Sequence, residues 1–324
     1  MSAPLLAVEG LVKKFSSAGG DIAAVDGVSL TIERGETFGL VGESGSGKST
    51  LARCILRLED VDSGSIVFDG KDLIRITGRE MRDLRARIQV VFQDPHASLN
   101  RRMSVSDIIA VPLVAHRTMS KGRRAARVRE LLNLVQLSAS TSVRRPGELS
   151  GGQAQRVAIA RALALSPDFV VLDEAVSGLD VSVRAQVLNL LKSLQRDLHL
   201  TYLFISHDLS VVRYVAGQIG VMYRGRIVET GGRSDLFARP QHPYTCLLLD
   251  AVPVADPVRQ RGKMRAEVDR EDDADAIPRV GCRFRPRCGR CAGRARCADV
   301  DPVLHIADTG QTSVACHYPR GNDD

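Results

Sequence analysis

The sequence predicts an α/β fold built on a parallel sheet, and three observations carry that prediction. Short, continuous apolar runs at Thr37 to Val41, Phe169 to Leu172 and Tyr202 to Ser206 have the length of strands covered on both faces. Longer segments with apolar residues at helical spacing, Val157 to Leu165 and Val183 to Leu198, alternate with them. The first run also opens into Gly42-Glu43-Ser44-Gly45-Ser46-Gly47-Lys48-Ser49, a P-loop pattern that has meaning only between a strand and a helix.

The remaining elements fall around this frame. Leu5 to Val8 and Val28 to Ile32 are short strands about a turn at Gly19-Gly20, and Ser65 to Asp69 and Ile88 to Phe92 are further strands. Ser104 to Leu137 is polar and helix-forming, with Ser120 placed to cap a helix over Lys121 to Val135. Ile219 to Tyr223 and Arg226 to Glu229, joined at Arg224-Gly225, form a closing hairpin. These elements predict a nucleotide-binding domain over residues 1–240 with a helical insertion at about 95–163. The acidic run Glu267 to Asp275 marks a linker over 241–276, and a Cys-rich module follows at 277–324.

Composition narrows the setting. A chain of 324 residues with 44% hydrophobic content can bury one large core and an appendage. Its apolar runs fall well short of the ~20 residues a spanning helix needs, and Met1 to Gly10 has neither the basic nor the apolar region of a secretory signal, so a cytoplasmic location is expected. The net charge of +7 is concentrated in part in one Arg-rich tail segment, and is assigned to solvated surface more than to nucleic acid. Of seven cysteines, Cys54 and Cys246 stand apart, while Cys282, Cys288, Cys291, Cys297 and Cys316 crowd the tail, a pattern that in a reducing compartment points to metal before disulfides.

The chemistry starts at the P-loop. Its glycines let backbone amides converge on phosphate oxygens, Lys48 reaches the β and γ phosphates, Ser49 is placed to ligate Mg²⁺, and Thr50 touches the α phosphate. The apolar run Phe169 to Leu172 ends on Asp173, a Mg²⁺ ligand at the sheet edge, and on Glu174, beside the γ phosphate, where a carboxylate can orient and deprotonate water. An acidic pair after a strand is commonly only a solvated end, and the P-loop gives this one its meaning.

Leu149-Ser150-Gly151-Gly152-Gln153 resembles the signature of ABC ATPases and precedes Asp173-Glu174 at that family's spacing. The resemblance runs from Leu5 to about Leu249. It includes Gln93 as the Q-loop residue, Ser177-Gly178-Leu179-Asp180 as the D-loop, and His207 as the switch histidine. It implies a RecA-like core with an antiparallel β subdomain and a helical subdomain, ATP and Mg²⁺ as cofactors, and Gln93 as a further Mg²⁺ contact. It also implies two such domains enclosing ATP head to tail, with Leu149 to Gln153 acting in trans. Phe15 is the residue expected to stack on adenine.

Val91-Phe92-Gln93-Asp94-Pro95-His96-Ala97-Ser98-Leu99-Asn100 and Gln241-His242-Pro243-Tyr244-Thr245 further resemble the dipeptide and oligopeptide (peptide/nickel) importer ATPases. Ala175-Val176 after Glu174 is more like the F-type member of a D/F pair, which implies a heterodimer. His96, Arg101 and Ala154 depart from the common pattern without removing a catalytic group. The tail resembles the C-terminal cysteine module of these importers, which implies a [4Fe-4S] cluster on Cys282, Cys288, Cys297 and Cys316. Cys291 is a possible substitute ligand and Zn²⁺ the alternative metal. Seven arginines from Arg279 to Arg296 are then available to offset thiolate charge.

The resulting expectation is an ATPase subunit peripheral to the cytoplasmic membrane, working with a second ATPase subunit, two permeases and an extracytoplasmic peptide-binding protein to import peptides. One rival is a soluble ABC ATPase of DNA repair or translation, and another is an ATP-binding module that does not hydrolyse. Single-cassette organisation disfavours the first, and the presence of Lys48, Asp173, Glu174 and His207 disfavours the second.

Overall fold

The computed structural model describes residues 3–17, 20–117, 119–251, 278, 280–291, 294–307 and 312–320 of the chain. Among these, a central sheet runs in the order β11-β12-β10-β9-β3-β8-β7-β6, and a second, antiparallel sheet in the order β2-β1-β4-β5. The strands are β1 (Leu6–Ser17), β2 (Gly20–Ile32), β3 (Thr37–Val41), β4 (Ser63–Phe68), β5 (Lys71–Asp72), β6 (Ile88–Val91), β7 (Phe169–Asp173), β8 (Thr201–Ser206), β9 (Gln218–Tyr223), β10 (Arg226–Gly232), β11 (His305–Ile306) and β12 (Thr312–Val314). The helices are α1 (Lys48–Ile55), α2 (Gly78–Arg87), α3 (Pro95–Ser98), α4 (Val105–Ala115), α5 (Lys121–Leu134), α6 (Gly151–Ala162), α7 (Val181–Leu198), α8 (Leu209–Val215), α9 (Arg233–Ala238), α10 (Pro243–Asp250) and α11 (Ala295–Asp299).

β3, β7 and β8 are buried at every residue because both faces of the parallel sheet are covered. Strand alternation divides them between two apolar cores. Val170, Leu172, Tyr202 and Phe204 face the helices α4 to α7, whereas Phe38, Leu40, Phe169, Val171, Leu203 and Ile205 face α1 and the antiparallel sheet. The helical subdomain is fastened by half-buried polar links as well as by packing. Arg161 donates to the Ser98 carbonyl at 2.7 Å, and Arg127 to the Leu163 carbonyl at 3.2 Å.

Three features differ from the sequence expectation. β1 and β2 are far longer than Leu5 to Val8 and Val28 to Ile32, and pair from Leu6 with Ile32 to Ser17 with Gly20. Irregular register near Val8, Leu11 and Lys13 breaks the polar–apolar alternation by which a strand is recognised. Gly19 lies outside the described residues.

The second difference concerns the linker. Its first part, 241–250, carries α10, whose Tyr244 is fully buried, so the compact domain continues past 240. The acidic run Glu267 to Asp275 lies outside the described residues. Third, the C-terminal segment is joined to the nucleotide-binding sheet, because β12 pairs with β10 (Glu229 with Val314) and β11 with β12.

α10 is anchored by a buried polar knot. Glu229 of β10 accepts the Gln241 and His242 amides, each at 2.8 Å, and His242 Nδ1 caps the helix by accepting the Tyr244 amide at 3.0 Å. Burial pushes the Glu229 carboxyl above its ordinary range and drives the His242 imidazole down to about 3. Below the ordinary histidine value of 6.5 the unfolded chain binds a proton that folded His242 refuses. Its contribution is therefore complete above that pH and is lost as pH falls toward 3. Stability should fall by about 1 kcal/mol per pH unit over that window from this residue. Urea denaturation at pH 7 and pH 5 should show a shallower pH dependence in His242→Asn, which keeps a capping acceptor without the ionisable ring.

Candidate functional site

The site lies where the parallel strands end. Val41 pairs with Ser206 across β3 and β8, and Asp173 with Ile205 across β7 and β8, so the residues that follow these strands emerge at one edge. A cavity of about 700 Å³ opens there, lined by Ala24, Glu43, Ser44, Gly45, Gly47, Lys48, Ser49, Thr50, Gln93, Glu174, His207 and Leu248.

Lys48, the first residue of α1, is buried and donates to the Gly42 carbonyl (2.8 Å), the Glu43 carbonyl (2.8 Å) and Ser46 Oγ (3.1 Å), which closes the loop around its ammonium. Burial lowers the Lys48 pKa, and Glu174, Asp173 and Glu43 act against that shift. Gly47 precedes α1 in the left-handed region at φ 104°, and a Cβ there would lie 2.1 Å from the Ala24 carbonyl oxygen. The loop thus requires glycine for both backbone and space, and α1 aims its amide end into the cavity.

Ser49 Oγ donates to Asp173 Oδ1 at 3.0 Å, and burial raises the Asp173 pKa while that hydrogen bond lowers it. Glu174 follows with φ +48°, a left-handed conformation rare for a residue with a side chain and typical of positions held for function. Its amide donates to the Ile205 carbonyl at 3.0 Å, which turns the carboxylate out of the sheet and over the cavity. Gln93 Nε2 donates to Glu174 Oε2 at 2.9 Å, and His207 Nδ1 lies 3.3 Å from Glu174 Oε1. The three residues named as catalytic from sequence are therefore one connected group, facing the loop that can hold phosphates.

Other expected residues lie apart from this cavity. Phe15 is exposed on β1 opposite Ile22, with Lys13 Nζ 5.0 Å from its ring centroid, and does not line the cavity. Leu149 is buried, and Ser150 caps α6 through a reciprocal pair of bonds, Gln153 amide to Ser150 Oγ at 3.3 Å and Ser150 amide to Gln153 Oε1 at 3.2 Å. Gly152 fits so closely against α7 that a Cβ would meet Val183 at 2.4 Å. Asp180 occupies the N-cap position of α7, and Ser177 Oγ donates to the Glu174 carbonyl at 2.8 Å.

The tail cysteines are gathered at one place in the fold. The Cys282 amide donates to the Cys297 carbonyl and the Cys291 amide to the Cys288 carbonyl, and the Cys316 thiol interacts with those of Cys282, Cys288 and Cys297. All five thiols are free. Among the described residues, no group of three His, Cys, Asp or Glu side chains is disposed to hold a metal ion. Cys282 and Cys297 are buried in the apolar core, and a hydrogen bond with the Cys291 thiol draws the Cys288 pKa down. Nor are the arginines turned wholly to the thiols, since Arg283 reaches the Arg224 carbonyl and Asp26.

Residues 25–177 match the ABC transporter family and residues 228–297 the oligopeptide/dipeptide transporter C-terminal region. A peptide import ATP-binding protein of Brucella ovis is 49% identical over 95% of this chain and 96% of its own. A peptide ABC transporter ATP-binding protein of Sinorhizobium fredii is 45% identical over 98% of this chain and 90% of its own. Among solved structures, a dimeric ATP-binding cassette in a post-hydrolysis state bound to ADP and Pi has a TM-score of 0.65 at 29% identity, covering 70% of this chain and 98% of that one. CbiO1 of Clostridium perfringens, part of an ABC transporter complex, has a TM-score of 0.66 at 30% identity, covering 73% of this chain and 92% of that one. The chain belongs to the ATP-binding subunits of the oligopeptide/dipeptide ABC transporter family, and it is an ATPase.

Sequence reasoning missed Ala24 and Leu248 as cavity walls and Tyr244 as the acceptor of the Glu43 amide at 2.9 Å. Tyr244 lay within a noticed motif, but nothing in that motif indicates what its hydroxyl touches. Gly47→Ala should weaken ATP binding at least ~10-fold, because α1 must move off β2. Gly45→Ala, with open space beside it, should leave ATP binding within about 2-fold, its left-handed strain of about 1–2 kcal/mol being the same with and without nucleotide and so falling on folding stability. Titration with a fluorescent nucleotide distinguishes the two variants.

Proposed function

We propose that this chain hydrolyses ATP at the cytoplasmic face of the membrane to energise import of di- and oligopeptides. It would act as the F-type member of a heterodimer with a second, D-type ATPase subunit, two membrane permeases and an extracytoplasmic peptide-binding protein. The observation that carries the ATPase mechanism is the Glu174 carboxylate, held between Gln93 and His207 above the P-loop cavity. Peptide as the cargo rests on the oligopeptide/dipeptide C-terminal match and the names of the relatives.

In the proposed mechanism, the α1 amides and Lys48 receive the phosphates. Exchange of one of the three Lys48 hydrogen bonds for a phosphate oxygen leaves two to hold the loop. The Ser49 hydroxyl and Asp173 carboxylate, side by side, form an all-oxygen set with Gln93 nearby, which fits Mg²⁺. Bound there, Mg²⁺ would neutralise charge on the β and γ phosphates. Glu174 accepts a proton from the attacking water, and His207 and Gln93 fix its orientation. Ser150, Gly151 and Gly152, at the start of α6, would present amides to the nucleotide of the partner subunit. Phe15 would supply the adenine contact from its exposed position on β1.

No helix among the described residues is long and apolar enough to cross a membrane, which fits a subunit seated on permeases. For the tail we retain a thiolate-bound group, a [4Fe-4S] cluster with Zn²⁺ as the alternative, on Cys282, Cys288, Cys297 and Cys316 with Cys291 in reserve. Five gathered free thiols are a suitable soft donor set. Repair or translation functions are not favoured, given the match to a transporter C-terminal region.

Glu174→Gln should reduce steady-state ATP turnover by at least ~100-fold while ATP binding stays within about 2-fold. Turnover near wild type would remove Glu174 from its role, and failure of co-expressed permeases to stimulate the ATPase in the presence of peptide and binding protein would remove the transport reading. Metal analysis and an absorption spectrum of anaerobically purified protein should show iron and sulfide with a broad band near ~400 nm. Stoichiometric zinc would instead assign a structural clip, and absence of both would end the metal proposal.

A further inference from the structure

One ion pair between the tail and the rest of the chain ends on the P-loop itself. Arg287, in the turn Arg285–Arg287 immediately before Cys288, donates from its two terminal nitrogens to both Glu43 carboxylate oxygens, at 2.7 and 2.8 Å. The partners are 244 residues apart in sequence. Bidentate guanidinium–carboxylate pairing fixes direction as well as charge, which lysine cannot reproduce. The guanidinium is also seated against aromatic rings, 6.0 Å from the Tyr223 centroid and 5.9 Å from that of Phe284.

Glu43 is in turn fixed from two further sides. Its amide donates to the Tyr244 hydroxyl at 2.9 Å, and its carbonyl accepts from Lys48 at 2.8 Å. Tyr244 packs at a tilt against Tyr223 and Phe284, at centroid distances of 4.6 and 5.5 Å, so the Tyr244 and Arg287 contacts to Glu43 rest on one aromatic cluster shared by α10, β9 and the tail. Glu43 lines the cavity whose ligand would be a polyphosphate, and an unpaired carboxylate in that wall would repel it. Arg287 cancels that charge and holds the carboxylate to the tail side.

We propose that Arg287 is a positioning residue of the nucleotide site, acting through Glu43, so that polyphosphate affinity depends on the C-terminal segment being docked. The inference rests on the reading of the P-loop cavity as the ATP site. It adds an element outside the cassette motifs and makes the conformation of the loop before Cys288 an input to nucleotide binding.

The test is equilibrium binding of MgATP and MgADP to the full-length protein in wild type, Arg287→Gln, Arg287→Lys and the double variant Glu43→Gln/Arg287→Gln, with thermal unfolding run on each. Arg287→Gln should weaken MgATP about 10-fold and MgADP less, since the repelled charge is smaller. Arg287→Lys should be intermediate, and the double variant should recover most of the lost affinity because the uncompensated carboxylate is gone. Unchanged MgATP affinity in Arg287→Gln overturns the proposal. So does an equal loss for both nucleotides that removal of Glu43 does not relieve, which is the signature of a merely structural contact. Lys48→Ala separates the two levels. If it binds MgATP as wild type does, the site reading and this inference fall together, whereas loss of binding in Lys48→Ala beside an unaffected Arg287→Gln overturns this inference alone.

Discussion

The parallel register of β3, β8 and β7 is the constraint on which the site depends. Because Val41 is level with Ser206 and Asp173 with Ile205, three separate crossings of the sheet end at one edge. There they deliver the phosphate loop, the acidic pair and the switch histidine within a few ångströms of one another. A parallel sheet needs both faces covered, and the two apolar cores above and below it meet that need. A slip of one residue in β7 would send Phe169 and Val171 into the wrong core and turn Asp173 away from Ser49. The hydrophobic division of these strands and the placing of the chemistry are therefore one requirement, enforced by burial rather than by the few polar bonds at the edge.

Legibility from sequence followed the same physics. Thr37–Val41 was readable to the residue, and Phe169–Asp173 and Thr201–Ser206 nearly so, because a strand buried on both faces must be continuously apolar. The hairpin at Arg224-Gly225 was readable because both residues take positive φ, which an Arg-Gly pair between apolar runs accommodates. β1 and β2 were underread because one face is polar and the register is irregular, so neither period persists for long. α10 was hidden in a presumed linker because its burial depends on the Glu229 carboxylate of another element and on aromatic partners distant in sequence, neither of which local periodicity records.

The site was legible as an ordered set of motifs, but its mutual geometry was not. Nothing in the spacing of Gln93, Glu174 and His207 requires that a single carboxylate receive both other side chains, yet that arrangement turns three polar residues far apart in sequence into a unit able to hold a water molecule. The left-handed backbone at Glu174 is a cost the fold accepts to aim that carboxylate, and it is sustained by the amide bond to Ile205 on one side and by Ser177 on the other.

The tail shows what composition alone conceals. A run of arginines among cysteines looks like charge compensation for a thiolate cluster, but Arg283 and Arg287 spend their hydrogen bonds on Asp26 and Glu43, in the β subdomain and the P-loop. β12, hydrogen-bonded along β10, fixes the tail beside β9 and α10, and the Tyr223, Tyr244 and Phe284 rings fill the junction. A segment tied in this way is mechanically continuous with the nucleotide loop. Any change that reorients the chain around Cys288 must act on Arg287 first, and through it on the carboxylate beside the phosphates.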